Sequence, residues 1–215
     1  MKIGILGTGV VGKAIGTKLV QLGHSVKMGS RTANNEKAAD WVKTGGATAS
    51  QGTFADAASY GEILFNCTSG MAALEALKLA GAVNMNAKIL IDISNPLDFS
   101  KGMPPTLTVC NSDSLGEQIQ RTYPAVKVVK TLNTMNCNIM VNPSLVPGNH
   151  DAFISGNDAD AKAKVTDILK NWFGWKSVID IGDITTARGT EMLLPIWIRL
   201  MGAFQSPNFN FKIVR

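Results

Sequence analysis

Apolar positions along the chain alternate between two patterns. Short runs at Ile3–Leu6, Ser25–Met28, Ile63–Asn66, Ile89–Ile93, Val126–Val129, Ala152–Ile154 and Val178–Ile181 predict strands. Several are nearly unbroken Ile, Leu and Val, as in strands covered on both faces. Between them lie segments of helical period. Val11, Ala14, Ile15, Leu19 and Leu22 share one face, with Gly23 where a helix stop belongs. Ala161, Val165, Ile168, Leu169 and Trp172 form another, closed by Gly174. Strand runs alternating with amphipathic helices predict an α/β fold, a Rossmann-type doubly wound and mostly parallel sheet.

Other segments follow different rules. Ser114 with Glu117 has the spacing of a capping box, opening a short helix that Tyr123-Pro124 ends. Ser100–Thr108, with Pro104 and Pro105 adjacent, reads as an irregular crossing loop. From Met192 to Met201 only Pro195 and Arg199 interrupt Met, Leu, Ile and Trp. Such a helix is apolar on more than one face: either a core helix kinked by Pro195 or a subunit contact.

Composition narrows the classes. The chain has 215 residues, 45% hydrophobic and 17% charged, which suits one large globular domain or a domain with an extension. The net charge of +5 favours an anionic ligand. Lys and Arg are scattered rather than clustered, which argues against nucleic acid. Cys67, Cys110 and Cys137 are widely spaced and match no metal motif, so a reduced, cytoplasmic protein without a metal is expected. Met1 leads directly into a strand-like run, where no signal peptide is expected, and no apolar stretch reaches the roughly 18 residues of a membrane span.

The first run opens into Gly7-Thr8-Gly9-Val10-Val11-Gly12. A lone GxGxxG is a weak signal, but here it follows a buried strand and opens an amphipathic helix, the context of a dinucleotide site. In that reading Gly7 makes the tight turn, Gly9 lets the backbone approach a pyrophosphate and Gly12 lets the helix pack on the strand. The helix N-terminus adds free N–H groups and partial positive charge. About 20 residues on, an NAD-binding chain carries an acid that holds the ribose 2′-hydroxyl. This chain has Gly29-Ser30-Arg31-Thr32 instead. Gly29 supplies no carboxylate, Arg31 brings a planar donor fork, and Ser30 and Thr32 add hydroxyls, the chemistry of a 2′-phosphate and hence of NADP(H). Residues 1–182 form the predicted NADP-binding domain; residues 183–215 form a helical extension closing the cleft or making a dimer interface.

With "GSR" placed, the chain resembles the NADPH-dependent coenzyme F420 reductase family, the F420-dependent NADP oxidoreductases. The resemblance rests also on "SNPLDF" (Ser94–Phe99), "SLGEQIQRTYPAVKVVKTLNTMN" (Ser114–Asn136), "DAFISGNDADAKAKV" (Asp151–Val165) and "TTARGTEMLL" (Thr185–Leu194). The same domain type is similar to the cytosolic part of some membrane ferric reductases. The resemblance implies that Thr8–Val11 hold the pyrophosphate and that Ser30 and Arg31 hold the 2′-phosphate. It puts Thr68 and Ser69 near the second ribose, and Asn95, Pro96 and Asn133 beside the nicotinamide. It implies a small-molecule hydride partner such as F420 or a flavin. One departure is Asn34-Asn35, with Lys37 beyond, where family members often carry a further basic residue soon after "GSR".

No acid–base pair stands out, which suits hydride transfer between two cofactors. His24, in the turn after the first helix, reads as structural, and His150 as a surface-loop residue that could instead approach the cleft. Two histidines without a third partner make no nucleophilic triad. Cys67 and Cys137 read as small buried hydrophobes, Asp92 as an anchor for the loop after its strand, and Trp172 and Trp175 as packing. The leading function is hydride transfer between NADP(H) and a deazaflavin or flavin. A non-catalytic NADP(H) sensor and a small-substrate reductase remain alternatives. A homodimer through Met192–Met201 is expected.

Overall fold

In the computed structural model, which describes residues 1–215, the seven apolar runs become seven strands of one eight-stranded sheet, Val178–Ile181 lying in an edge strand. The first half contains β1 (Lys2–Leu6), α1 (Val10–Gln21), β2 (Ser25–Ser30), α2 (Glu36–Gly45), β3 (Ala49–Thr53), α3 (Phe54–Tyr60) and β4 (Ile63–Asn66). Then come α4 (Gly70–Ala80), α5 (Ala82–Met85), β5 (Ile89–Asp92), a hairpin of β6 (Leu97–Asp98) and β7 (Thr106–Leu107), α6 (Leu115–Thr122) and β8 (Lys127–Thr131). The chain ends with α7 (Cys137–Val141), β9 (Asp151–Gly156), α8 (Ala159–Asp167), β10 (Ser177–Gly182), α9 (Ala187–Met192) and α10 (Leu194–Phe204). The sheet order is β10-β9-β8-β5-β4-β1-β2-β3, parallel throughout except where β9 runs antiparallel to β8. The winding reverses between β1 and β4, so the carboxyl ends of these strands border the crevice where doubly wound sheets bind ligands.

Alternate side chains of each central strand enter opposite layers. Ile3, Ile5, Ile63, Phe65, Ile91 and Val129 face α1, α2, α7 and α8. Leu6, Leu64, Leu90 and Val128 face α3, α4, α5 and α6. Period-2 alternation with both sets apolar explains the unbroken runs. The helix ending at Trp172 forms as expected, α8 continuing through a π turn over Ile168–Trp172 to Gly174, which takes a φ of +87°. No helix is long and apolar enough to cross a membrane.

Several expectations need correction. β3 (ASQGT) forms at one sheet edge without an apolar run and buries only Ala49 and Gly52. The expected crossing loop Ser100–Thr108 is not wholly irregular: Thr106–Leu107 within it forms β7, paired antiparallel with β6. The capping box at α6 is half formed. Ser114 Oγ accepts from Glu117 N (3.1 Å), but the Glu117 carboxylate accepts from Ser114 Oγ (2.7 Å) and Arg188 Nε (2.8 Å) rather than from the cap backbone. Arg188 is a stronger donor than an amide, so it takes the carboxylate. The interruption expected at Pro195 takes the form of a break between α9 and α10 rather than a kink within one helix. Pro195 opens α10 after that break at Leu193, the position where a missing N–H costs nothing. Only Leu194 and Ile198 of α10 are buried, while Ile196 and Phe204 are exposed.

Candidate functional site

The glycine turn after β1 is built differently at each glycine. Gly7 takes a φ of +119°, and a Cβ there would lie 2.7 Å from the Cys67 carbonyl oxygen. A Cβ on Gly12 would lie 2.2 Å from the Gly7 carbonyl oxygen. Backbone conformation and packing therefore demand those two. At Gly9 neither does: φ is −75° and a Cβ would meet nothing within 4 Å. Its missing side chain leaves backbone bare toward open space. No side chain caps α1 at Gly9 or α4 at Ser69, so first-turn N–H groups stay free at both helices: those of Val10, Val11 and Gly12 in α1, and those of Gly70 and Met71 in α4, where Ala72 N is taken by the Ser69 carbonyl (2.9 Å).

A cleft of about 270 Å³ lies along these ends, lined by Gly7, Thr8, Gly9, Ser30, Arg31, Asn35, Phe54, Cys67, Thr68, Ser69, Ala72 and Ala76. It gathers the candidates Gly7, Thr8, Gly9, Ser30, Arg31, Thr68 and Ser69 from the ends of three strands, while Val10, Val11 and Gly12 begin α1 and do not line it. Thr32 is exposed and does not line it. Arg31 is exposed and engages no carboxylate, so its donor fork is uncommitted. Ser30 is buried; its hydroxyl donates to the Thr32 carbonyl and accepts from Thr32 N (3.3 Å), holding the turn that presents Arg31. Gly29 has a packing reason: a Cβ would lie 2.8 Å from Ala57 Cβ and 2.9 Å from the Thr53 carbonyl oxygen. The absent acid at that position is thus enforced by α3. Asn35, which stands where family members often carry a further basic residue, caps α2 by accepting from Ala38 N (3.2 Å).

Asn95, Pro96 and Asn133 do not line that cleft but sit together beside it. Asn95 Nδ2 donates to the Asn133 carbonyl (2.8 Å), and Asn133 Nδ2 donates to Asn95 Oδ1 (2.9 Å). The α4 N-terminus abuts the same loop, because a Cβ on Gly70 would fall 1.9 Å from the Asn95 carbonyl oxygen.

Beneath these loops lies a buried charged cluster that the sequence reading missed. Lys130 Nζ is 2.8 Å from Asp92 Oδ2 and 2.8 Å from Glu191 Oε1, all three side chains being essentially inaccessible. It also donates to the Ser94 carbonyl. Glu191 in turn accepts from Leu115 N (2.8 Å) and Gly116 N (3.0 Å), the open end of α6. Burial alone would lower the Lys130 pKa, but Asp92 and Glu191 overcome it and hold the ammonium above its ordinary value. Two charges inside otherwise apolar strands, Asp92 in "ILID" and Lys130 in "KVVKT", were the available signal, since such residues are buried only when paired. They are direct register partners of β5 and β8.

The remaining candidates are structural. His24 packs on Trp172 with ring centroids 4.2 Å apart, and burial lowers its pKa. His150 is not a surface-loop residue: it is buried against Trp175, its Nε2 3.0 Å from the Pro143 carbonyl and its Nδ1 2.8 Å from Asn210 Nδ2. The chain end folds back to cover it, Asp151 N donating to the Phe211 carbonyl (2.9 Å) and Lys212 Nζ meeting Asp151 Oδ1 (3.0 Å). Burial, with Asp92 nearby, pushes the Cys67 thiol far up, and burial raises Cys137 as well, which disfavours the thiolate at both. Asp92 does anchor its loop, accepting from Ser94 N (3.2 Å) and Ser94 Oγ (2.7 Å).

Comparison with known proteins gives this geometry relatives. Residues 2–96 match the family described as NADP oxidoreductase, coenzyme F420-dependent. A candidate F420-dependent NADP-reductase of Arthrobacter sp. FB24 is 53% identical, with a TM-score of 0.94 over 100% of both chains. Rat metalloreductase STEAP3 is 32% identical over 207 residues, which is 91% of this chain but 38% of that protein. An imine reductase of Streptomyces aurantiacus shares the fold alone, at 16% identity and a TM-score of 0.68 over 95% of this chain and 64% of that one. With 53% identity over the full length of one relative and residues 2–96 matching the family model, the chain belongs to the coenzyme F420-dependent NADP oxidoreductases, a family of NADP-using redox enzymes.

Proposed function

We propose that the chain transfers a hydride between NADP(H) and a deazaflavin of the F420 type or a flavin. One observation carries the reading: an unpaired Arg31, a bare Gly9 backbone and two uncapped helix N-termini converge on one cleft at the switch point. That donor set fits a nucleotide with three phosphates and little else of that size. The N–H groups of the turn from Thr8 to Gly12 hold the pyrophosphate, and Ser30 and Arg31 hold the 2′-phosphate, with Thr32 at the rim. Thr68 and Ser69 meet the second ribose, and Asn95, Pro96 and Asn133 border the nicotinamide.

When bound, the nicotinamide supplies two electrons and one proton as hydride, and the reduced acceptor takes any further proton from solvent. The chain's own residues position and exclude water rather than exchange protons. Residues 1–182 serve as the NADP-binding domain and residues 183–215 as an extension that closes the cleft or joins two copies through α10.

Anaerobic mixing of the protein and NADPH with F420, FMN, FAD and ferric chelates tests the reading. Oxidation of NADPH with F420 or a free flavin is the expected result. NADPH binding without turnover of any acceptor would refute the reading in favour of a sensor.

A further inference from the structure

Lys130 is chemically saturated yet touches nothing outside the protein. Its three ammonium hydrogens meet Asp92 Oδ2, Glu191 Oε1 and the Ser94 carbonyl. Each partner leads elsewhere. The Ser94 carbonyl immediately precedes Asn95-Pro96, so Lys130 fixes the root of that loop. Asp92 Oδ1 accepts from Asn66 Nδ2 (2.8 Å), and Asn66 Oδ1 accepts from Thr68 Oγ (2.7 Å).

The direction of this chain is forced. An ionised Asp92 can only accept, so it must face the Asn66 NH2, which leaves the Asn66 carbonyl toward Thr68. The Thr68 hydroxyl must then donate inward, and only its lone pairs face the cleft it lines. A ligand group meeting Thr68 must therefore be a hydrogen-bond donor, as a ribose hydroxyl is. On its third side Lys130 holds Glu191, whose carboxylate ties α9 to the N-terminus of α6. The two edges of the site and the C-terminal extension thus share one buried ion.

We propose that Lys130 is a positioning residue: through Asp92 and Asn66 it sets the hydrogen-bond polarity of Thr68, and through Ser94 it holds the Asn95-Pro96 loop for the nicotinamide half of the nucleotide. This rests on the NADP(H) reading above.

The test measures binding of NADPH and of 2′,5′-ADP, which lacks the nicotinamide half, to the full-length protein. It compares the unaltered chain with Lys130→Met, Asn66→Leu, Thr68→Val, Thr68→Ser and the double variants carrying Thr68→Val. Thr68→Val is expected to weaken NADPH by about 2- to 12-fold, the span of one net hydrogen bond, and Thr68→Ser to restore it. Lys130→Met should lose at least as much, and adding Thr68→Val to it should cost nothing more, since the hydroxyl is no longer directed. Binding of 2′,5′-ADP should stay unchanged in all of them, which general damage to the fold would not allow. Asn66→Leu leaves Lys130 paired with Asp92, Ser94 and Glu191, so it decides the matter if Lys130→Met does not fold. It should match Thr68→Val and combine with it without further loss. Unchanged NADPH affinity in Asn66→Leu, multiplicative losses in the double variants, or parallel loss of 2′,5′-ADP would overturn the proposal. An unaltered protein that binds neither nucleotide would overturn the NADP(H) reading itself.

Discussion

Replacing Arg31 by Ala asks the site its most direct question. The guanidinium is exposed and engages no carboxylate, so nothing within the protein competes for it and its removal leaves no partner stranded. The change should read almost purely on the ligand. A hydrogen bond to a charged group contributes about 1.5–3 kcal/mol, or roughly 10- to 150-fold in affinity. Exposure places this arginine near the lower end, because solvent and salt screen an exposed charge pair. Tenfold or somewhat more is therefore expected for NADPH, with NADH nearly unaffected. Raising the salt should narrow the NADPH difference further. The assay is a fluorescence titration of both nucleotides with both proteins at two ionic strengths. Equal losses for NADPH and NADH, or no loss at all, would show that Arg31 does not read the 2′-phosphate.

Three further outcomes are expected. The Glu117 carboxyl is held below the usual range by its hydrogen bond from Arg188, with Ser114 adding to it. A depressed folded-state pKa gives stability that is present above the unfolded value of about 4.3 and lost as pH falls through the folded one. The melting-temperature gap between the unaltered protein and Glu117→Gln should be full at pH 6 and shrink below pH 4, and a gap that widens in acid would contradict this. Sedimentation should give a dimer at micromolar concentration that Ile196→Arg dissociates, since α10 leaves Ile196 and Phe204 uncovered; a monomeric unaltered protein would exclude that contact. Single-turnover hydride transfer between pH 6 and 9 should follow only the acceptor's own titration, and His150→Ala should cost little. A bell-shaped profile of the enzyme's own would expose a general acid or base, which typically contributes about 10²–10⁴-fold.

What could be read from the chain alone was whatever neighbouring residues decide between themselves. The strand runs, the helix that opens at Gly9, the turn at Gly7 and the break at Pro195 all follow from local geometry and from apolar residues seeking two covered faces. Gly7, Ser30 and Arg31 could be named because each lies at a fixed offset along a single βαβ unit. β3 left no legible period because ASQGT has no large apolar residue and buries only Ala49 and Gly52.

Tertiary structure decided everything that depends on distant residues meeting. Only the fold shows that Gly29 is a matter of packing on α3, that Gly9 is not, and that Arg31 is left free. Only the chain end returning over Asp151 turns His150 from a loop residue into a buried one. The ion cluster is the clearest case. Asp92 and Lys130 become neighbours through strand register, and Glu191 joins them from a helix beyond the sheet. A buried charge is tolerated only with its partners in place, and no local pattern encodes partners that are brought together by the fold.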